Sequence, residues 1–403
     1  MIHSQFRFWT VTAVVIANMV GTGVFTSLGF QLLEIRSGFV ILMLWVAGGI
    51  AAVCGAMTYA ELGAAMPRSG GEYNFLSRIY HPAAGFVSGW VSATIGFAAP
   101  TALAAITFAA YATSAWAGDV PAGLEKAMAV TLVAILTVVH GGRRRNSGRL
   151  QVGFTILKVG VIVLFCLAAA WLSDTEQAVR FMPSRGDGAL LTSGAFAVSL
   201  IYVSYAYTGW NAATYLSSEL ANPQRALPGI LLTGTLVVMA LYVALNYTFL
   251  HVAPIAALQG QVEVGAIAAK AAFGDIGGRA TGLVLALLLV STVSAMTIAG
   301  PRVLQVIGED FRALKLFSYT NEDGIPSIAI YIQSGLTILF VLTSSFESIL
   351  VFAGFTLALN SFATVLGVFV LRARQPGLAR PYRTFLYPVT PLIYLALTGW
   401  TLG

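Results

Sequence analysis

The sequence predicts an all-α polytopic membrane protein of about eleven spans, in which the first and sixth helices are interrupted halfway across the membrane. Three observations lead there. The 403 residues are 58% hydrophobic and only 9% charged, whereas a soluble globule carries about 25% charged residues. Apolar stretches of about 17 to 25 residues, long enough to cross a hydrocarbon core as helices, recur from end to end. Two of those stretches are broken by glycine and polar residues, five spans apart. The segments are continuously apolar rather than alternating, which argues against a membrane barrel.

In chain order, the first span is placed at 8–33. It is longer than a signal-peptide core and has no small-residue cleavage site before a soluble domain, so it is kept as a true helix. Spans two to five are placed at 39–64, 83–115, 124–140 and 150–172, and spans six to ten at 190–216, 228–250, 280–300, 326–344 and 348–371. A peripheral span follows at 385–403. Loops are too short for a soluble domain, so residues 1–403 read as one transmembrane domain. Cys54 and Cys166 both fall inside spans, which suggests packing residues rather than a disulfide or a metal site.

Orientation follows from the basic residues, which favour the cytoplasmic side of short loops. Of the 22 Lys and Arg, only Arg36, Lys126, Arg180, Arg185, Lys270 and Arg279 fall on the side opposite the N-terminus. The expectation is a multi-pass protein of the cell (inner or plasma) membrane with a cytoplasmic N-terminus. The net charge of +6 is then a matter of topology, with basic runs such as Arg143 to Arg145 anchoring a loop at anionic lipid. Nothing in it calls for nucleic acid.

Lys158 is the exception, a basic side chain inside the apolar run Leu150 to Leu172. A lysine at the centre of a membrane helix costs roughly 2.5 to 3.5 kcal/mol and marks a functional site by default. The alternative is a lysine that snorkels to the interface. It lies about nine residues from the inner end, or roughly 13 Å at helical rise, which makes that reach long.

The first interruption is Gly21-Thr22-Gly23, halfway along span one. The second is Tyr205-Ala206-Tyr207-Thr208-Gly209-Trp210-Asn211, unusually polar and aromatic for the middle of span six. Both could be glycine packing interfaces. Corresponding interruptions in two halves, however, point to a transporter's substrate site. An odd number of crossings inverts the second set of five spans, so about 6–173 and 190–372 read as inverted repeats. Amides near Thr22, Gly23 and Val24 open a helix N-terminus that favours a carboxylate. Carbonyls near Met19 and Tyr205, where the upstream half-helices end, are expected to be free for an ammonium group. Together they describe a cradle for a zwitterion, a free amino acid.

Several segments carry a resemblance. Gly21-Thr22-Gly23-Val24-Phe25, Met66-Pro67-Arg68-Ser69-Gly70-Gly71-Glu72-Tyr73, Glu219-Leu220-Ala221-Asn222-Pro223 and Arg380-Pro381-Tyr382-Arg383 are together similar to the amino acid, polyamine and organocation superfamily, and within it to bacterial and L-type amino acid permeases. The resemblance implies a leucine-transporter-like fold with ten core helices in a 5+5 inverted repeat. It also implies two peripheral helices; this sequence departs from that pattern by lacking a twelfth span, and the expectation is a truncated chain. In several sodium-independent members a span-five lysine places its ammonium where sodium-coupled relatives bind the ion, between spans one and eight. Lys158 matches that lysine, and its expected partners are the first break around Gly21 and the span-eight cluster Ser291, Thr292, Ser294 and Thr297, with Ser291 and Ser294 preferred. Tyr205 matches an aromatic that closes over substrate. Thr208 stands where relatives often have glycine and would favour a smaller side chain.

Tyr207 beside Tyr205, and Asn360 at depth in span ten, complete the expected substrate-binding set, although packing is the commoner fate of helical aromatics. No Asp or Glu is placed at mid-membrane, since Glu61 and Glu219 lie near span ends, which favours neutral over cationic substrates. The leading expectation is a sodium-independent secondary transporter of neutral L-amino acids, as proton symporter or amino acid exchanger, with no cofactor and no enzymatic activity. A Schiff-base photoreceptor built on the buried lysine is the alternative, weakened by the missing counter-ion and the broken helices. Channel filters are lacking, and the histidines lie near span ends. The loop Trp116 to Leu124 has no cysteine, so no disulfide-linked heavy chain is expected.

Overall fold

A computed structural model describes residues 7–402 apart from 117–119, 143–146, 174–176, 218, 219, 221 and 323, with backbone alone for 147–151. The expectations placed on Arg143 to Arg145 and on Glu219 lie outside the described residues.

Span one is two helices, α1 (Phe8–Met19) and α2 (Thr22–Gln31). The helix ends where Val20 takes ψ 80° and Gly21 an extended φ/ψ of −123°, −147°. Span two is the single helix α3 (Gly38–Ala65), capped by Ser37, whose Oγ accepts from Val40 N at 3.3 Å. A short helix, α4 (Glu72–Ile79), follows in the connecting segment. Span three is continuous but irregular: α5 (Pro82–Val91), a π-helical stretch over Ser92–Ala98, then α6 (Ala99–Ser114). Spans four and five are α7 (Leu124–Gly142) and α8 (Ser147–Leu172).

After the short α9 (Asp187–Leu191), span six is α10 (Gly194–Tyr207) and one further turn, α11 (Ala212–Tyr215). Span seven is α12 (Pro223–Val252), followed by the turn α13 (Ile255–Leu258). Span eight comprises α14 (Val264–Ala299) and α15 (Pro301–Asp310), and spans nine to eleven are α16 (Ser327–Thr343), α17 (Phe346–Arg374) and α18 (Val389–Leu402). Among the described residues, eight helical segments are long and apolar enough to cross a membrane and three shorter apolar helices accompany them. The all-helical polytopic architecture and both interruptions are those the sequence predicts.

Span eight differs in one respect. The helix begins at Val264, well before the expected 280, because the chain reverses at Gly274 (φ 74°, ψ −174°). Gly278 then lies against Lys270, Gly282 against Ala266 and Gly265 against Leu285, so the first arm folds back along the span. Glycine and alanine at the crossing let the two arms approach closely, and only glycine tolerates the turn's positive φ without strain.

The helices pack as a bundle, with α3 along α12, α6 along α14, and α1 against both α8 and α12. On the N-terminal side a polar clasp ties three elements. Glu61, fully buried, receives Arg372 Nε at 2.9 Å and Arg372 Nη2 at 2.7 Å, and also Thr384 N and Oγ1, each at 2.7 Å. Arg380 Nε lies 3.5 Å from the same carboxylate, and Tyr387 stacks on the Arg372 guanidinium. A second clasp joins Arg68 to Asp310 at 2.8 Å, with Tyr73 Oη donating to the other oxygen at 2.6 Å.

A paired buried charge is costly to strand. Glu61→Ala is expected to destabilise the protein by about 3 kcal/mol, read as a lower unfolding midpoint in detergent, and Arg372→Ala should act similarly. Unchanged midpoints in both variants would show that the clasp contributes nothing to stability.

Candidate functional site

The two breaks lie against each other, and a glycine in each makes this possible. A Cβ at Gly23 would stand 2.4 Å from Ala206 Cα, and one at Gly209 only 2.8 Å from the Asn18 carbonyl carbon. Gly209 also has φ 102°, a conformation that other residues adopt only at a cost. Tyr242, from α12, pins the crossing from behind: its hydroxyl donates to Met19 O at 2.5 Å, with Ala206 O 3.0 Å away.

This arrangement corrects the expected acceptors. Met19 O also receives Gly21 N at 2.8 Å, and Tyr205 O receives Thr208 N at 2.9 Å and Thr208 Oγ1 at 2.6 Å. Neither carbonyl is free for an ammonium group. The chain satisfies its own helix ends, as buried backbone must. The α2 amides of Thr22, Gly23 and Val24 still open a helix that has no side-chain cap. All three residues are buried.

Tyr205 and Tyr207 part company. Two positions along a helix is about 200° around it, so they point to opposite sides. Tyr205 reaches the Thr22 side chain with its hydroxyl and packs in the cluster containing Ile349, Leu350 and Ala353. Tyr207 turns into the scaffold, donating to Trp45 O at 3.0 Å and packing on the rings of Trp45 and Tyr242. Its place in a binding set is therefore corrected to a packing role.

Lys158 is 1% exposed, so it does not snorkel. Its Nζ donates to Val20 O and to Thr292 Oγ1, both at 2.8 Å, with Ala17 O 3.5 Å away. One turn earlier Thr155 Oγ1 donates to Ala13 O at 3.1 Å, so one face of α8 runs along α1. The preferred partners in span eight are corrected. Thr292, not Ser291 or Ser294, takes the ammonium; the Ser291 hydroxyl is buried without a partner and Ser294 Oγ meets His140 Nε2 at 2.8 Å. Neighbouring helix positions differ by about 100°, and only Thr292 faces the break. Gly21 leaves room for it, since a Cβ there would already touch the Thr292 methyl at 3.4 Å.

Beside the breaks, on the N-terminal side of Tyr205, is a small cavity of about 50 Å³. Of the expected residues, Thr208 and Asn360 line it; Met19, Thr22, Gly23, Val24, Tyr205 and Tyr207 do not. Asn18, Gly209, Asn211, Met296, Leu357 and Ser361 also contribute. The π-helical stretch of span three adds Ser92, Gly96 and Phe97; such bulges favour functional sites.

The wall also carries an acid that sequence reasoning placed outside the membrane. Glu72, 2% exposed, lines the cavity. Its Oε1 accepts from Tyr59 Oη at 3.0 Å and Asn211 Nδ2 at 2.6 Å, and Oε2 accepts from Tyr215 Oη. The signal lay in Gly70-Gly71-Glu72: both glycines have positive φ, 110° and 54°, and turn the chain so that α4 opens with its acid pointing inward. The expectation of a cavity without carboxylates is corrected accordingly.

The family described as amino acid permease matches residues 6–402. The serine/threonine exchanger SteT of Bacillus subtilis (strain 168) is 27% identical over 96% of this chain and 88% of its own length. The b(0,+)-type amino acid transporter 1 of Mus musculus is 26% identical over 96% of this chain and 79% of its own. The Asc-type amino acid transporter 1 of Mus musculus is 28% identical, with 96% and 74% covered.

The glycine crossing sets a test. Gly209→Ala is expected to cost about 1 to 3 kcal/mol from backbone strain alone, lowering the unfolding midpoint in detergent well beyond Gly188→Ala, where a Cβ meets nothing within 4 Å. Equal shifts would remove the close-approach argument.

Proposed function

The chain belongs to the amino acid permease family, and we propose that it is a sodium-independent secondary transporter of neutral L-amino acids working by alternating access. The observation that carries this reading is the Lys158 ammonium, 2.8 Å from Val20 O at the first break and from Thr292 Oγ1 in span eight. A cation bonded covalently to the protein occupies the acceptors that a bound sodium ion would require, so transport needs no sodium.

The substrate is held by its backbone. Its carboxylate is drawn to the amides of Thr22, Gly23 and Val24, where the positive end of the α2 dipole and unpaired donors coincide. With the Met19 and Tyr205 carbonyls engaged, Asn18 supplies the acceptor for the ammonium group. Its Nδ2 donates to Val14 O at 2.8 Å, which leaves the amide oxygen for the cavity that Asn18 lines. The substrate side chain then meets Thr208, Asn360, Met296 and Leu357; Glu72 on the same wall has its carboxylate engaged by Tyr59, Asn211 and Tyr215, which leaves a surface suited to an uncharged residue. Tyr205, hydrogen-bonded to Thr22, covers the side opposite the N-terminus and would have to swing away for entry from there.

The distribution of Lys and Arg supports a cytoplasmic N-terminus in the cell membrane, and the matching interruptions support inverted repeats over about 6–173 and 190–372. The outer loop without cysteine supports a transporter that works without a disulfide-linked heavy chain. Coupling is either to protons or to a counter-moving amino acid.

Two measurements test the reading. In proteoliposomes without sodium, radiolabelled serine, threonine or alanine should accumulate; acceleration by an imposed proton gradient alone identifies symport, and a requirement for internal amino acid identifies exchange. Uptake that needs sodium would overturn the assignment. Lys158→Ala strands the Val20 carbonyl and Thr292, and should reduce uptake roughly tenfold or more, the effect of losing a charge-assisted hydrogen bond. Wild-type rates in that variant would remove Lys158 from the mechanism.

A further inference from the structure

Four polar groups on the cavity wall give their hydrogens to the protein rather than to the cavity. Asn18 Nδ2 donates to Val14 O at 2.8 Å, and Thr208 Oγ1 donates to Tyr205 O at 2.6 Å. The other two are set by Glu72, which is 2% exposed on the same wall. Asn211 Nδ2 donates to Glu72 Oε1 at 2.6 Å. Tyr215 Oη donates to Glu72 Oε2, and Ser92 Oγ lies 3.2 Å from that phenol oxygen.

A carboxylate only accepts, whereas an amide or a hydroxyl does either. Asn211 therefore cannot turn its oxygen toward Glu72. With the nitrogen held there the oxygen is directed away, and among the described residues nothing hydrogen-bonds to it. A phenol has one hydrogen; that of Tyr215 goes to Glu72, so Ser92 has to donate to the phenol oxygen and keeps only lone pairs. The acid thus gathers the hydrogens on its side of the wall, and what remains for the cavity is acceptors: Oδ1 of Asn18 and Asn211, and the hydroxyl oxygens of Thr208 and Ser92. The space is also small. A cavity of about 150 Å³ holds benzene, and this one offers about 50 Å³, so a side chain of a few heavy atoms fills it.

We propose that Glu72 sets the substrate class by orienting Asn211: it leaves an acceptor-lined pocket that takes amino acids whose short side chain carries a hydroxyl, serine and threonine, over alanine and the isosteric valine. Asn18 receives the substrate ammonium group, and Asn211 Oδ1 receives the side-chain hydroxyl. A methyl group in its place would leave a buried acceptor without a partner, and sites built to bond a hydroxyl reject analogues that lack it for that reason. Glu72 itself touches no substrate, because its oxygens are occupied by Tyr59, Asn211 and Tyr215. It is a positioning residue, and Asn211 reads the side chain. The proposal rests on the amino acid transport reading and names the substrate class of that same site.

The test is a ratio read within one set of vesicles. Sodium-free proteoliposomes, preloaded with unlabelled serine and given an inward proton gradient so that either symport or exchange runs, receive equal concentrations of serine and alanine carrying different radiolabels. The wild type should take up serine roughly tenfold faster, the effect of one hydrogen bond made or missed, and threonine should lead valine similarly. Glu72→Gln, whose amide both donates and accepts, frees Asn211 to turn, and the serine-to-alanine ratio should fall to within about twofold. Glu72→Asp, which keeps an acceptor-only group, should retain a preference for serine. Asn211→Leu, with the shape but not the oxygen, should lose it. Misfolded protein lowers both rates and leaves the ratio unchanged, so a purely structural role for Glu72 would not move it. Equal rates in the wild type, or a full serine preference in Glu72→Gln, would overturn the proposal while the transport reading stands. A wild type that takes up neither amino acid would overturn both.

Discussion

Backbone that leaves a helix inside a membrane must find its hydrogen bonds within the protein, and that constraint organises this structure. The two breaks create orphan carbonyls at Met19, Val20, Tyr205 and Ala206. A tyrosine from span seven serves Met19 and Ala206, a threonine hydroxyl serves Tyr205, and the Lys158 ammonium serves Val20. Scaffold helices are thus bound to the interruptions they surround. The helix-opening amides of α2 have no side-chain cap, and the positive end of that helix favours negative charge.

The buried charges follow a second rule. Each is stabilised by neutral dipoles where the protein needs a single charge, and by an opposite charge where it needs a fastening. Lys158 meets carbonyls and a hydroxyl; Glu72 meets two phenols and an amide; Glu61 alone is paired with an arginine. A lone buried charge is the costly case; Lys158 and Glu72 are such charges and lie at the breaks, while the salt-bridged Glu61 sits at the periphery. Opposite charges are thus kept from neutralising each other at the centre.

Much of this was legible beforehand. Composition and segment length showed the helical membrane class, and Gly21-Thr22-Gly23 and Thr208-Gly209 marked both breaks. The isolated Lys158 marked the polar contact between spans one, five and eight. What failed was azimuth. Helical neighbours such as Tyr205 and Tyr207, or Ser291 and Thr292, share a composition but face different directions, and only packing decides which one is used. Depth failed once as well: Glu72 follows span two in a short connecting helix, and the glycine pair before it marks a turn without showing that the turn folds the acid back into the wall. The reversal at Gly274 was hidden for the same reason, because a single glycine in an alanine-rich helix usually signals only close packing.

The crossing of the two breaks has a mechanical meaning. Gly23 rests on the Ala206 backbone and Gly209 on that of Asn18, so no side chain lies between the two main chains to compress or change rotamer. Side chains act as cushions at most helix contacts, absorbing small shifts. Here the joint is bare, and a displacement of either half-helix is passed to the other without slack.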